Sequence, residues 1–131
     1  NCHSQIQRDN PKLQLVRDSW QTGNPIEWVQ IHKTPEYAYF HHSVHVNRGV
    51  SCVSCHGKVN EMEVVYHAES HSMSWCLDCH RDPASFVRPV SEVTNLDWQP
   101  PAGKTQREIG SALVEKLHIN PPVKNCAGCH R

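Results

Sequence analysis

The stretch Cys52-Val53-Ser54-Cys55-His56 decides the character of this chain, and its pattern occurs three times. The same C-x-x-C-H order returns as CLDCH at residues 76–80 and as CAGCH at residues 126–130. C-x-x-C-H is the attachment sequence of a c-type haem. Two thiols separated by two residues can both add to the vinyl groups at one porphyrin edge, and the histidine that follows supplies a nitrogen to the iron. The repeats therefore predict a multihaem cytochrome.

Zinc binding or disulfide formation is the alternative interpretation, because paired C-x-x-C units also bind zinc. Zinc explains the cysteines but not a histidine directly after every pair, so the pattern favours haem. The haem-attaching residues predicted in this way are Cys52, Cys55, Cys76, Cys79, Cys126 and Cys129. The predicted proximal iron ligands are His56, His80 and His130.

The chain begins with what has the form of a further haem motif. Asn1-Cys2-His3 matches the last three residues of a C-x-x-C-H whose first cysteine precedes residue 1. This would account for the seventh cysteine, which otherwise is a free or intermolecular thiol. We expect Cys2 and His3 to hold a fourth haem and the sequence to be a fragment of a longer protein. An incidental Cys-His pair is the alternative.

The composition suits a protein built around porphyrins. The 131 residues are 37% hydrophobic and contain only two Phe, with eleven His and nine Pro. So few large apolar side chains would hardly offset the entropy of folding, whereas a covalently held porphyrin is a large apolar body. We expect one multihaem cytochrome c domain over residues 1–131. Its fold should be mainly short α-helices and irregular loops wrapped around the haems, with little or no β-sheet.

The charge and the haem chemistry limit the partners and the compartment. Thirteen basic and thirteen acidic residues balance, which argues against a nucleic-acid-binding protein. Haem attachment of this type takes place outside the cytoplasm, so we expect the periplasm or its equivalent. The sequence shows no signal peptide or transmembrane run, and in a fragment this says nothing about the native protein.

Local patterns predict two helices and a linker. Asn10-Pro11 reads as a helix start, with Gly23 as its end, and Thr105-Gln106-Arg107-Glu108 is a capping box before a helix that Asn120-Pro121-Pro122 ends. Residues 26–31 suggest a short strand or an extended arm. Residues 83–101 contain prolines without a clear period, which predicts an extended surface linker.

Histidines and methionines near the motifs are candidates for the second axial position of the irons. His42 and His45 are three residues apart, so on one helical turn they would point to similar sides and reach two different irons. Met73 and, as second choice, Met62 are candidates for a further distal ligand. If unligated, these methionines would fill gaps around the rings. Weaker candidates are His67, His71 and His118.

Two resemblances rest on these residues. Phe40-His41-His42-Ser43-Val44-His45 before the first complete motif resembles the F-x-H-x-x-H…C-x-x-C-H opening of class III tetrahaem cytochromes. That resemblance implies that His42 ligates the haem of Cys52 and Cys55, and that His45 ligates a different haem.

A second resemblance covers nearly the whole chain. The chain is similar to the pentahaem cytochrome subunit of bacterial alternative complex III. The segments that carry this similarity are NCHSQI (1–6), WVQIH (28–32), YFHHSVHV (39–46), CHGKV (55–59), MSWCLDCHR (73–81) and DWQPP (97–101), which leads to CHR at residues 129–131. That family has an N-terminal membrane helix and a first haem motif upstream of residue 1. His41 departs from the asparagine of the family at that position.

The resemblance implies four haems c in this fragment and five in the full subunit. It implies an electron-transfer subunit, not itself an enzyme, on the periplasmic face of the bacterial cytoplasmic membrane. Its partners would be an iron-sulfur subunit and a monohaem cytochrome, with electrons leaving to a cytochrome c, another soluble carrier or an oxidase, and the missing N-terminus would add a membrane anchor. The alternatives are a multihaem reductase with one open iron position and a free soluble shuttle cytochrome.

Overall fold

The computed structural model describes residues 5–119 and 124–130. The chain divides into two compact units, the first ending at Gln30 and the second beginning at Ile31. The single domain predicted over residues 1–131 stays a prediction. In the described part of the chain, no helix is both long and apolar enough to cross a membrane.

The first unit contains the helix that the sequence predicts. The Asn10 side chain accepts a hydrogen bond from the Lys12 amide at 2.9 Å and caps a 3-10 helix, Pro11–Leu13, that continues into α1, Gln14–Thr22. Gly23 ends α1 with a φ of 75°, in the left-handed region that glycine adopts without strain. Residues 24–30 form neither helix nor strand, so of the two alternatives predicted for residues 26–31 the short strand is wrong and the extended arm remains. A strand needs a neighbour to pair with its backbone, and the described residues contain none.

The second unit consists of short helices joined by loops. Its α-helices are α2 (His42–Val46), α3 (Cys52–His56), α4 (Met73–Arg81), α5 (Gln106–Lys116) and α6 (Cys126–Cys129), with 3-10 helices Pro83–Ser85 and Val90–Glu92. Isolated antiparallel bridges join Ala38 to His130 and Val50 to Val87. The predicted fold class, short helices and loops with little or no sheet, is confirmed.

The capping box predicted at the start of α5 is present in full. The Thr105 side chain accepts from the Glu108 amide at 3.2 Å, and the Glu108 carboxylate accepts from the Thr105 amide at 2.7 Å. Gly110 lies so close to the Ala84 carbonyl that a Cβ atom at Gly110 would overlap with it. This glycine therefore lets α5 pack directly on the 3-10 helix Pro83–Ser85. The Asn120-Pro121-Pro122 stop lies outside the described residues.

Residues 83–101 are not the extended surface linker that the sequence predicts. Val87 and Val93, each 2% exposed, are the buried hydrophobic side chains of the described residues. The prolines start short 3-10 turns at Pro83–Ser85 and Val90–Glu92, which are too short to show a helical period in the sequence. The segment folds back on the first complete motif and contributes the buried core residues Val87 and Val93, instead of running along the surface.

Large apolar side chains elsewhere remain uncovered by protein. Trp20 is 82% exposed in the first unit, and in the second Phe40 is 44% and Val64 is 79% exposed. A water-soluble chain seldom leaves so many large apolar groups unburied. The exposure fits the expectation that apolar cofactors, not side chains, cover much of this surface.

Candidate haem sites

Each complete C-x-x-C-H motif lies on a helix with its histidine at or directly after the last turn. The first motif is α3 itself, the second lies within α4, and in the third His130 follows α6 directly. Residues three apart share one face of a helix, so each pair of thiols opens to the same side. None of the six cysteines of these motifs forms a disulfide within the described residues.

Side-chain caps start two of these helices. The Ser72 hydroxyl accepts from the Trp75 amide at 3.3 Å before the second motif. The Asn125 side chain accepts from the Gly128 amide at 2.9 Å before the third. Capping fixes the first turn of a short helix, which positions the cysteine pair that follows.

The ring of His42, at the start of α2, lies parallel to the ring of His56, the proximal ligand predicted for the first motif. Their centroids are 6.3 Å apart and their planes differ by only 4°. Burial lowers the pKa of His56, as do the charges of His71 and His42, so its surroundings disfavour the charged imidazolium. A neutral imidazole is the form that ligates a metal.

His45, one turn further along α2, faces His80 of the second motif in the same way. The two ring centroids are 6.2 Å apart, with planes inclined by 38°. His45 Nδ1 donates a hydrogen bond to the His41 carbonyl at 2.9 Å, which leaves Nε2 as the nitrogen available to a metal. Burial lowers the pKa of His45, although its bond to His41 acts in the opposite direction.

These two spacings fit a haem iron held between each pair of rings. A metal–imidazole bond is about 2 Å long, so two imidazoles on opposite sides of one metal have centroids roughly 6 Å apart. The residues present therefore fit bis-histidine haem at the first and second motifs. The assignments of His42 and His45 as distal ligands stay predictions, now supported by this geometry.

The third motif contacts the segment around Tyr37 and Tyr39, which lies before α2 in the sequence. His130 Nδ1 donates to the Tyr37 carbonyl at 3.1 Å, and the Tyr39 amide donates to the Cys129 carbonyl at 2.8 Å. The His130 ring lies 5.7 Å from the Tyr37 ring, and no histidine ring of the described residues contacts it. The described structure thus supplies the proximal histidine of this site without an imidazole opposite it.

Three further histidines surround the first motif. His32, which the sequence analysis did not single out as a ligand, has its ring centroid 4.4 Å from that of His56. His71 Nε2 donates to the Cys55 carbonyl at 2.9 Å, and His67 Nε2 donates to His71 Nδ1 at 3.0 Å. A distance of 24 residues separates His32 from His56 in the sequence, so no local spacing marks it. The cluster offers additional imidazoles at this site.

The two methionine candidates occupy different positions. Met73 begins α4 and is 61% exposed. Met62 lies against the end of α3, since a Cβ atom built on Gly57 would be 3.1 Å from Met62 Cε. Met62 thus lies beside Gly57, the residue that follows His56, and both methionine assignments stay predictions. Cys2 and His3 lie outside the described residues.

The cysteines show which motifs are neighbours. Burial raises the pKa of Cys55 to about 11, with added contributions from Cys76 and Glu69. The pKa of Cys79 is likewise raised to about 11 by burial, then by Cys55. Burial raises the pKa of Cys76 as well, and the charge of Cys129 adds to it. The second motif therefore lies next to both the first and the third.

The first motif is anchored by the segment that the sequence analysis took for a linker. Ser51, 2% exposed, donates from Oγ to the Val93 carbonyl at 2.7 Å, and the Cys52 amide donates to the same carbonyl at 3.3 Å. Val50 forms its bridge with Val87. We call residues 49–52 together with residues 87–93 the cradle of the first motif.

A family model described as cytochrome c7 and related cytochrome c matches residues 38–131, which include all three complete motifs. The chain belongs to this family. As a member of the cytochrome c7 family it is a multihaem cytochrome, it binds haem c and its activity is electron transfer. Membership supports haem over zinc at the C-x-x-C-H motifs. A comparison with curated proteins found no match.

Proposed function

We propose that this cytochrome is the electron-transfer haem subunit of a membrane quinol:acceptor oxidoreductase of the alternative complex III type. The observation that carries the electron-transfer role is the position of α2. Its two histidines, one turn apart, face the proximal histidines of two different motifs at 6.3 and 6.2 Å. One short helix would thereby supply the second ligand at two different haem sites.

In this proposal the motif cysteines, the motif histidines and the two histidines of α2 each have a separate role. The cysteine pairs would hold each haem covalently, and His56, His80 and His130 would each bind an iron. His42 and His45 would bind two of these irons as second ligands and so exclude water and substrate. When bound, a c-type haem supplies one-electron chemistry. Filled axial positions suit electron transfer and not catalysis on a substrate.

The number of haems belongs to the proposal. Three complete motifs and Asn1-Cys2-His3 give four haems in this sequence, and the resemblance to alternative complex III gives five in the full subunit. The adjacency of the second motif to the other two supports a series of sites with the second in the middle.

The assembly and its location are supported by the sequence resemblance. Electrons from the quinol site of a membrane partner would enter through an iron-sulfur subunit and leave to a monohaem cytochrome, a soluble carrier or an oxidase. Covalent haem attachment outside the cytoplasm supports the periplasmic face of the membrane. The balanced charge, thirteen basic against thirteen acidic residues, offers little for the transient docking of a free shuttle.

The ligand assignment is tested by His42→Ala and His45→Ala in the haem-loaded protein. Each substitution should convert one haem from low-spin to high-spin and leave its covalent attachment intact, because the proximal histidine and the thioethers remain. His41→Ala is the matched control, since His41 bonds Ser43 and faces neither motif histidine. Unchanged absorption and paramagnetic resonance spectra in both variants would remove the assignment.

Membership in a membrane complex needs a separate experiment. A tag on the native subunit should recover an iron-sulfur subunit and a monohaem cytochrome from detergent-solubilised membranes, with quinol oxidation that reduces cytochrome c. Recovery of this subunit alone from the soluble periplasmic fraction would favour the shuttle and contradict the proposal.

A multihaem reductase is the second candidate, and the surroundings of His130 favour it. No histidine ring of the described residues faces His130, so this is the site at which an iron could keep an open position. A reductase would show a high-spin signal in the oxidised, unmodified protein and would turn over a nitrogen or sulfur oxyanion. A fully low-spin spectrum would exclude it.

A further inference from the structure

Arg88 is a cation that the fold holds in one place beside the first motif. Its guanidinium Nη1 donates to the Asn95 carbonyl at 2.9 Å, and its Cζ lies 5.0 Å from the centroid of the Trp98 ring. Its amide donates to the Gly49 carbonyl at 2.9 Å. A guanidinium bonded at its edge and stacked on an aromatic face has little freedom to move away.

The charge of Arg88 is not neutralised by the carboxylates around it. None of the ion pairs among the described residues includes Arg88. Glu92, a carboxylate whose charge acts on Arg88, accepts instead from Asn95 Nδ2 at 2.9 Å. Arg88 Nε is buried and has no acceptor in the described part of the chain. A partly buried, unpaired cation is screened less by water and salt than an exposed one.

This cation lies beside the attachment point of the first haem. Val87, the residue before Arg88, bridges to Val50, and the Cys52 amide bonds to Val93. Arg88 thus belongs to the cradle that holds Cys52, and the Cys52 sulfur lies within range of its charge. Within the part of the chain that the structure describes, the charged pair of the second motif is arranged differently. Its Asp78 and Arg81 pair with each other at 3.4 Å, and both side chains are more than 60% exposed.

We propose that Arg88 is a tuning residue that raises the reduction potential of the haem bound by Cys52 and Cys55. This inference rests on the proposed function and adds the sign of the shift in reduction potential at the first haem site. One added electron lowers the charge of a redox centre by one unit, and a fixed cation nearby favours that state. The exposed Asp78–Arg81 pair gives the second site no comparable bias, because its charges cancel and are screened. Arg88 thereby favours electron residence at the first site.

Arg88→Gln in the haem-loaded protein tests the proposal, because glutamine removes the charge and can still donate to Asn95. A spectroelectrochemical titration should show one step moved to lower potential while the other steps stay in place. At the original midpoint, the ratio of reduced to oxidised haem should fall on the order of fivefold. The moved step should be the one that His42→Ala also perturbs. Arg88→Lys, which keeps the charge, should retain most of the original potential.

Two controls separate charge from structure. Lys116→Met removes a cation from the exposed side of α5 and should move no step, and Glu69→Gln, near Cys55, should raise the step that Arg88→Gln lowers. If Arg88→Gln loads no haem, the proposal is tested by titrating Glu69→Gln and Arg88→Lys. Loss of the negative charge at Glu69 should raise the potential of the first site, whereas Arg88→Lys, which keeps the positive charge, should leave it nearly unchanged. An unmoved step in Arg88→Gln, or equal losses in the glutamine and lysine variants, would overturn the proposal. A failed ligand assignment would show separately as an unchanged spin state in His42→Ala.

Discussion

The first and third haem motifs share one sequence pattern but are held very differently. The first is enclosed by its cradle, in which Ser51, Val87 and Val93 are each 2% exposed. The third has, among its contacts with distant described residues, hydrogen bonds to Tyr37 and Tyr39 and the bridge to Ala38. The difference teaches that C-x-x-C-H specifies attachment, while the stability and ligation of each site depend on which distant segment packs against it.

Of the substitutions that test this difference, Val87→Asp should have the largest effect on the free energy of unfolding. An unpaired carboxylate at this buried position should lower the free energy of unfolding by about 4 kcal/mol, enough to disorder the cradle. Val64→Asp is the matched control, since Val64 is 79% exposed and should tolerate the charge. Chemical denaturation followed by circular dichroism measures both. Equal losses in the two variants would show that residues 87–93 are not a core.

A smaller loss of folding stability is expected from two glycine-to-alanine substitutions. Gly49 and Gly23 both have left-handed backbones, with φ of 82° and 75°, so Ala should cost about 1 kcal/mol at either position. A Cβ at Gly49 would also overlap with the Arg88 carbonyl, whereas a Cβ at Gly23 would meet nothing within 4 Å. Gly49→Ala should therefore destabilise the protein by clearly more than Gly23→Ala in the same denaturation experiment. The reverse order would contradict the close approach of Gly49 to Arg88.

Ser51→Ala should cost about 1 kcal/mol, the usual contribution of one hydrogen bond. The loss is limited because the Val93 carbonyl keeps its bond from the Cys52 amide. Thermal unfolding of the variant beside the exposed-site control Ser70→Ala measures the difference. If Ser51→Ala unfolds at the temperature of the parent protein, the hydroxyl is not part of what holds the cradle together.

The smallest effect on global stability should come from Asn125→Ala in the third motif. Losing the bond to the Gly128 amide should weaken the first turn of α6 by about 1 kcal/mol locally. Because this motif lies apart from the buried core, the midpoint of global unfolding should hardly move. Hydrogen exchange of the Gly128 amide should become faster. A fall in the global midpoint as large as that of Ser51→Ala would mean that the third motif is as integrated as the first.

Local signals were enough to predict α1, α5 and the covalent chemistry. Asn10, Gly23 and the Thr105–Glu108 capping box act within one turn of the backbone, and each has the role that its position predicted. The linker predicted over residues 83–101 was wrong, because prolines start short turns there that show no period. Of the two alternatives predicted for residues 26–31, the strand was wrong, because the described residues contain no strand with which it could pair.

The sequence by itself determined the haem chemistry, since the thiols and the proximal histidine of each site are consecutive or nearly so. The spacing of His42 and His45 also predicted that two sites would be served from one helical turn. The resemblance to class III tetrahaem cytochromes already assigned His42 to the haem whose proximal histidine is His56, and the structure agrees with that pairing. Only the tertiary structure decided that His45 faces His80, and that residues 87–93 form a core around Cys52. Those relations join residues 14 to 42 positions apart, such as His42 and His56 or Ser51 and Val93. Helical periodicity reports neighbours three or four residues away, so such pairings are set by packing and not by local pattern.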